Sequence, residues 1–172
     1  MMLKLFEIEV LVNELAQKIG APQNMLPTYG YSEQTSRPHI EVGSTAYYYV
    51  VAQSGQEVRR YTALEVDELL YNIFSDVTFA LSMMYAENNR LENQDIRRVG
   101  YPKQIELLTL LSPQWGEKMA QDQAQLLQQA PFDDYGSVRA ALWKSLREQG
   151  YSVAQANRMA HEKYPYPNKP SE

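Results

Sequence analysis

Between His39 and Tyr61 the sequence has a strand-like character, whereas on either side apolar residues recur every three to five positions. That change of period confines the chain to an α+β fold. The runs His39–Val42, Thr45–Val51 and Gln56–Tyr61 are rich in aromatic and β-branched residues. Gly43-Ser44 matches a two-residue turn and Ser54-Gly55 introduces the third run, which predicts a three-stranded antiparallel meander. In the second run Tyr47, Tyr49 and Val51 share one face and Tyr48 and Val50 the other, so one face must meet helices.

The flanks read as helical. Leu3, Phe6, Val10, Leu15 and Ile19 predict a first helix that stops at Gly20. Residues 21–37, with Pro22, Pro27 and Gly30, form an irregular connection bearing Tyr29 and Tyr31. Thr62-Ala63-Leu64-Glu65 has the form of a capping box, and the stripe from Leu69 to Met84 predicts a long central helix reaching toward Arg98, with a break near Asn88-Asn89. Gly100-Tyr101-Pro102 ends that element. Ile105–Leu111 forms a short apolar helix, Ser112-Pro113 starts another, and Pro131-Phe132-Asp133-Asp134 breaks it and caps the next. Tyr135–Gln149 and a helix capped by Ser152 and Gln155 make a terminal hairpin. The expectation is one domain over residues 1–172, mainly helical after the meander, with 165–172 a loose tail.

Composition removes most chemistry. There is no cysteine, so neither a disulfide framework nor a thiolate site is available. His39 and His161 stand apart from other ligand types, and the eight glycines form no phosphate-cradling loop. No Gly-x-Ser-x-Gly elbow occurs. Asp133-Asp134 reads as a cap and turn, and Arg97-Arg98 after Asp95 as a salt-bridged helix end, so neither cofactor nor metal is expected. The strand carboxylates Glu41 and Glu57 are the remaining acid/base candidates, with Arg59 or Arg60 as competing partners.

A net charge of -5 argues against a general nucleic-acid binder. The acid is concentrated in the middle: residues 63–100 carry 7 acidic and 3 basic side chains, and 101–134 carry 5 and 2. Early carboxylates Glu7 and Glu9 spoil a signal peptide, and no apolar run reaches membrane-helix length, so a cytoplasmic location is expected. Protein binding is the activity such a chain can support. Tyr29, Tyr31, Tyr47 and Tyr49 are the candidate anchors, and Glu65, Asp67, Glu68, Asp133 and Asp134 the candidate charge partners.

The order Pro27, Ile40-Glu41 before a tyrosine-rich strand, Gly55-x-Glu57, Thr62 and Asp67-Glu68-Leu69-Leu70-Tyr71 continues through Arg90, Asp95-x-Arg97-Arg98 and Gln104 with Leu107-Leu108. Over most of residues 5–135 this order resembles the immunity protein 63 family, whose members are encoded beside secreted polymorphic toxins of bacteria. Gln53-Ser54-Gly55 and Ala86–Arg90 depart from its pattern. The resemblance implies a non-enzymatic inhibitor that binds a cognate toxin domain stoichiometrically, and the acidic middle of the chain points to a basic one. An adaptor or chaperone for a secreted effector is the alternative, and a small hydrolase using Glu41 and Glu57 the third.

Overall fold

The structure, a computed structural model, describes residues 2–167, which form six helices and a four-stranded sheet. They group into two compact units, Met1–Leu81 with Gln104–Met119, and Ser82–Lys103 with Ala120–Glu172. The α+β class is as the sequence predicts.

The first unit opens with α1 (Leu5–Lys18), whose buried residues are Ile8, Val12 and Ala16. Phe6 and Val10 are exposed, so the buried stripe is rotated from the one expected. Gly20 follows with a positive φ of 67°. Strands β2 (His39–Val42), β3 (Tyr47–Gln53) and β4 (Gln56–Ala63) make the expected antiparallel meander. The correction is a fourth strand, β1 (Thr28–Tyr29), parallel to β2 at the edge. Its brevity hides it from periodicity, and it is held by amides of Thr28 and Gly30 donating to Pro38 and Ile40 carbonyls at 2.9 and 2.8 Å.

Turn chemistry is visible in both hairpins. Val42 pairs with Tyr47, so the first loop takes the four residues Gly43–Ala46 rather than two, closed by Gly43 N–H donating to Ala46 O at 2.8 Å. The second is a two-residue turn with both φ values positive, 51° at Ser54 and 80° at Gly55, which matches the right-handed strand twist. Its tip is tied to the preceding loop, because Gly55 N–H donates to Gln34 Oε1 at 2.7 Å and Ser36 Oγ to Gln53 Oε1 at 2.9 Å.

Helix α2 (Val66–Asn88) starts later than the Thr62 box requires. Thr62 lies in β4 opposite Tyr48, and strand pairing claims its backbone. Glu68 does the reaching back instead, accepting from Leu64 N–H at 3.3 Å. Leu69, Leu70, Ile73, Phe74 and Val77 then bury one stripe of α2 in the core with Ile40, Tyr47, Tyr49, Leu108, Trp115 and Met119. Each large apolar side chain so buried contributes roughly 1.5–3 kcal/mol.

Helix α2 stops at Asn88, at the expected break, and α3 (Arg97–Leu111) continues through the residues expected to end it. Pro102 falls early enough that its missing N–H leaves only the Arg98 carbonyl without its helical donor. Gly100 is a site of close approach rather than a stop: a Cβ there would lie 2.2 Å from Met83 Cε, within the second unit. Helix α4 (Pro113–Gln129) has proline at its first position, as Ser112-Pro113 predicts.

The second unit closes with α5 (Gly136–Glu148) and α6 (Val153–Lys163). Ser152 and Gln155 form the expected capping box, each accepting from the other's backbone N–H. Of the expected tail, residues 168–172 lie outside the described residues. Tyr166 sets its ring 4.1 Å from the Arg139 guanidinium.

Candidate binding surface

Strand alternation turns Tyr47 and Tyr49 inward, and both are core residues, 3% and 2% exposed. The Tyr47 hydroxyl accepts from Leu3 N–H at 2.7 Å, while Tyr49 donates to Asp76 Oδ2 at 3.1 Å. Burial, with Asp76 beside it, pushes the Tyr49 hydroxyl far above its ordinary value. Neither ring is placed to anchor a partner. Tyr29 is half-buried, its hydroxyl enclosed without a partner and raised by burial and by Glu9. Tyr31, 60% exposed on the loop after β1, is the open member of the expected set.

Around Tyr49 lies a constellation that the sequence reading missed. Arg59 of β4 pairs with Asp76 of α2 and places its guanidinium 5.8 and 5.0 Å from the ring centroids of Tyr49 and Tyr61. Those rings stack at 6.5 Å and 16°. Arg59 Nε is enclosed and has no acceptor. Arg59 and Asp76 line an open cleft of ≈390 Å³ together with Val51, Val58, Phe79, Ser36 and Pro38. The available signal was a single carboxylate, Asp76, set between the apolar residues Phe74 and Val77 of the core helix.

The opposite face of the sheet brings together the two carboxylates considered for acid/base work. Arg60 bridges them: its guanidinium reaches Glu41 at 3.0 Å and Glu57 at 2.8 and 2.9 Å, and lies 5.0 Å from the Tyr48 ring centroid. His39 Nε2 meets Glu41 Oε1 at 3.0 Å. The arginine's hydrogen bonds hold both carboxyls below the usual range, more than burial raises them. Two carboxylates kept ionised by one cation lack the raised acid that a proton-transfer pair requires.

The candidate acids divide between the units. In the first, Glu65, Asp67 and Glu68 are exposed at the start of α2, where Asp67 accepts from Trp115 Nε1 at 3.2 and 3.3 Å. In the second, Asp133 and Asp134 are occupied by arginines. Arg139, itself buried, donates to both Asp133 oxygens at 2.7 Å, and Arg98 donates to Asp134 at 2.7 and 2.8 Å. Asp134 also accepts from Asp95 N–H at 2.9 Å, and the Arg98 guanidinium beside it lowers its carboxyl to about 2. Asp95 returns the contact by accepting from Asp133 N–H at 2.8 Å. Arg97 chelates Asp95 and donates to the Ala130 and Pro131 carbonyls at 2.9 and 2.8 Å. The Asp95-x-Arg97-Arg98 motif is therefore a salt-bridged clasp at the beginning of α3, not at the end of a helix.

Among the described residues no group of three histidine, cysteine or carboxylate side chains is arranged to hold a metal ion. No helix among them is long and apolar enough to cross a membrane.

Comparison with known families places this geometry. Residues 43–125 match the family model described as immunity protein 63. Over these residues the chain is similar to the immunity protein 63 family. Neither the curated proteins nor the solved structures gave a match. The match bears out the resemblance over a narrower span than residues 5–135. The matched segment contains the Arg59–Asp76 cleft wall formed by Val51, Val58 and Phe79, the Arg60 bridge to Glu57, and the acids Glu65, Asp67 and Glu68. Tyr29, Tyr31, Asp133 and Asp134 fall outside it.

Proposed function

We infer that the chain binds a cognate secreted bacterial toxin domain one to one and neutralises it in the cytoplasm, with no turnover of its own. The family match over β3, β4 and the central helix carries this reading. Physical support comes from the same segment: an ion pair framed by aromatic rings with exposed aliphatic side chains around it is the composition of an interface centre. The arginine-bound state of Glu41 and Glu57 supports binding over hydrolysis. An overall charge of -5 favours capture of a basic toxin by electrostatic steering. Co-expression with a toxin-domain gene found beside this one is the test. Restored growth with this chain alone is the expected result, and growth arrest despite folded, soluble chain overturns it.

A further inference from the structure

Strand β4 ends the sheet, and among the described residues β3 is the strand it pairs with. It is eight residues long and exposed at six of them, with Val58 66% and Tyr61 42% exposed. Such an edge leaves a row of amides and carbonyls open to another strand. Natural edges are commonly guarded by projecting charge, but here the charges are drawn back, Arg60 onto Glu41 and Glu57 and Arg59 onto Asp76. Beside the strand, Val51, Val58 and Phe79 line the cleft whose polar wall is the Arg59–Asp76 ion pair. A free edge adjoining a side-chain pocket is what strand addition uses, main-chain bonds supplying affinity and alternate side chains supplying selection.

Resting on the inhibitor reading above, we propose that β4 receives an extended segment of the toxin as a fifth strand. An apolar side chain of that segment enters the cleft beside Val51, Val58 and Phe79. A carboxylate two residues along, on the same face because side chains alternate, meets the exposed part of the Arg59 guanidinium. Charge decides against a second copy of this chain as occupant. In an antiparallel β4–β4 pair a two-fold axis sets one residue against itself, and at the middle of Gln56–Ala63 that residue is Arg59 or Arg60. Like charges directly opposite are unfavourable, whereas an acidic and apolar strand complements the same edge.

Amide hydrogen exchange on the full chain, alone and with the neighbouring toxin domain, tests this. Amides within residues 56–63 are expected to slow by about tenfold or more in the complex. The exposed substitution Val58→Asp, which sets a carboxylate at the cleft against the incoming acidic strand while leaving the core untouched, is expected to weaken toxin binding by about tenfold or more. A toxin-bound state with unchanged β4 exchange overturns strand addition and leaves the inhibitor reading standing. Slowed β4 amides in a self-associated dimer of the chain alone overturn the hetero-partner assignment. If the wild type binds no toxin, the inhibitor reading fails, and the edge is judged by a random-peptide display library on the immobilised chain. Enriched peptides with an apolar residue two positions before an acid, slowing β4 amides and lost with Val58→Asp, support the proposal, and their absence overturns it.

Discussion

Asp134 accepts from the Arg98 guanidinium and from the Asp95 amide, and its carboxyl is held at about 2. The unfolded value is near ~3.9, so the ionised clasp contributes fully above about pH 4 and loses its contribution as pH falls toward 2. Asp134→Asn is therefore expected to melt at a temperature that varies less with pH across that window, as followed by circular dichroism. Asp95 still titrates in the variant: burial raises its carboxyl, but bonds from Arg97 and the Asp133 amide bring the net value down, so the curve flattens without becoming flat. The sequence shows the composition of this clasp in Asp95-x-Arg97-Arg98 and Asp133-Asp134, yet gives no sign that the two motifs meet, because ion pairs obey no sequence period. The tyrosines were legible in the same partial way. Alternation correctly puts Tyr47 and Tyr49 on one face, but only packing decides that this face is the buried one.

At the scale of elements, Thr62 and Ile73 separate strand from helix. Thr62→Ala is expected to change stability by no more than about 0.5 kcal/mol, since its hydroxyl caps nothing. Ile73→Ala, at a fully buried site, is expected to cost roughly 2–5 kcal/mol in urea unfolding. Gly116 tests the approach of α4 to α3 within the first unit. A methyl there would meet Thr109 Oγ1 at 2.0 Å and its Cα at 3.2 Å, so a branched side chain and backbone both obstruct it. Gly116→Ala gains about 1 kcal/mol of helix propensity against overpacking of about 1–3 kcal/mol, and a lower urea midpoint at unchanged slope is the expected outcome. Helices and hairpins were legible because period and turn residues are local. Strand β1 and the start of α2 were not: a two-residue strand has no period, and Thr62 satisfies both a cap pattern and a strand pattern until pairing with Tyr48 selects one.

For the molecule as a whole, inhibition by binding predicts indifference to the loss of potential acid/base groups. Glu41→Gln with Glu57→Gln is expected to preserve growth rescue by the folded chain, while Arg60 loses its carboxylate partners and thermal stability falls slightly. Loss of rescue in a variant that melts normally would direct attention back to catalysis. A further consequence concerns synthesis. The first unit is discontinuous, taking Leu108, Trp115 and Met119 into its core only after the chain has passed through residues that belong to the second. A nascent chain halted after α2 has left the exit tunnel but before Leu108 has emerged has the meander and α2 outside the ribosome, but nothing yet covers Phe74 and Tyr71 where Trp115 will stack and abut them. With the β4 edge also bare, such a fragment meets the conditions for aggregation rather than partial protection. On the proposed inhibitor function, a stalled ribosome thus leaves the cell without antidote, not with a weaker one.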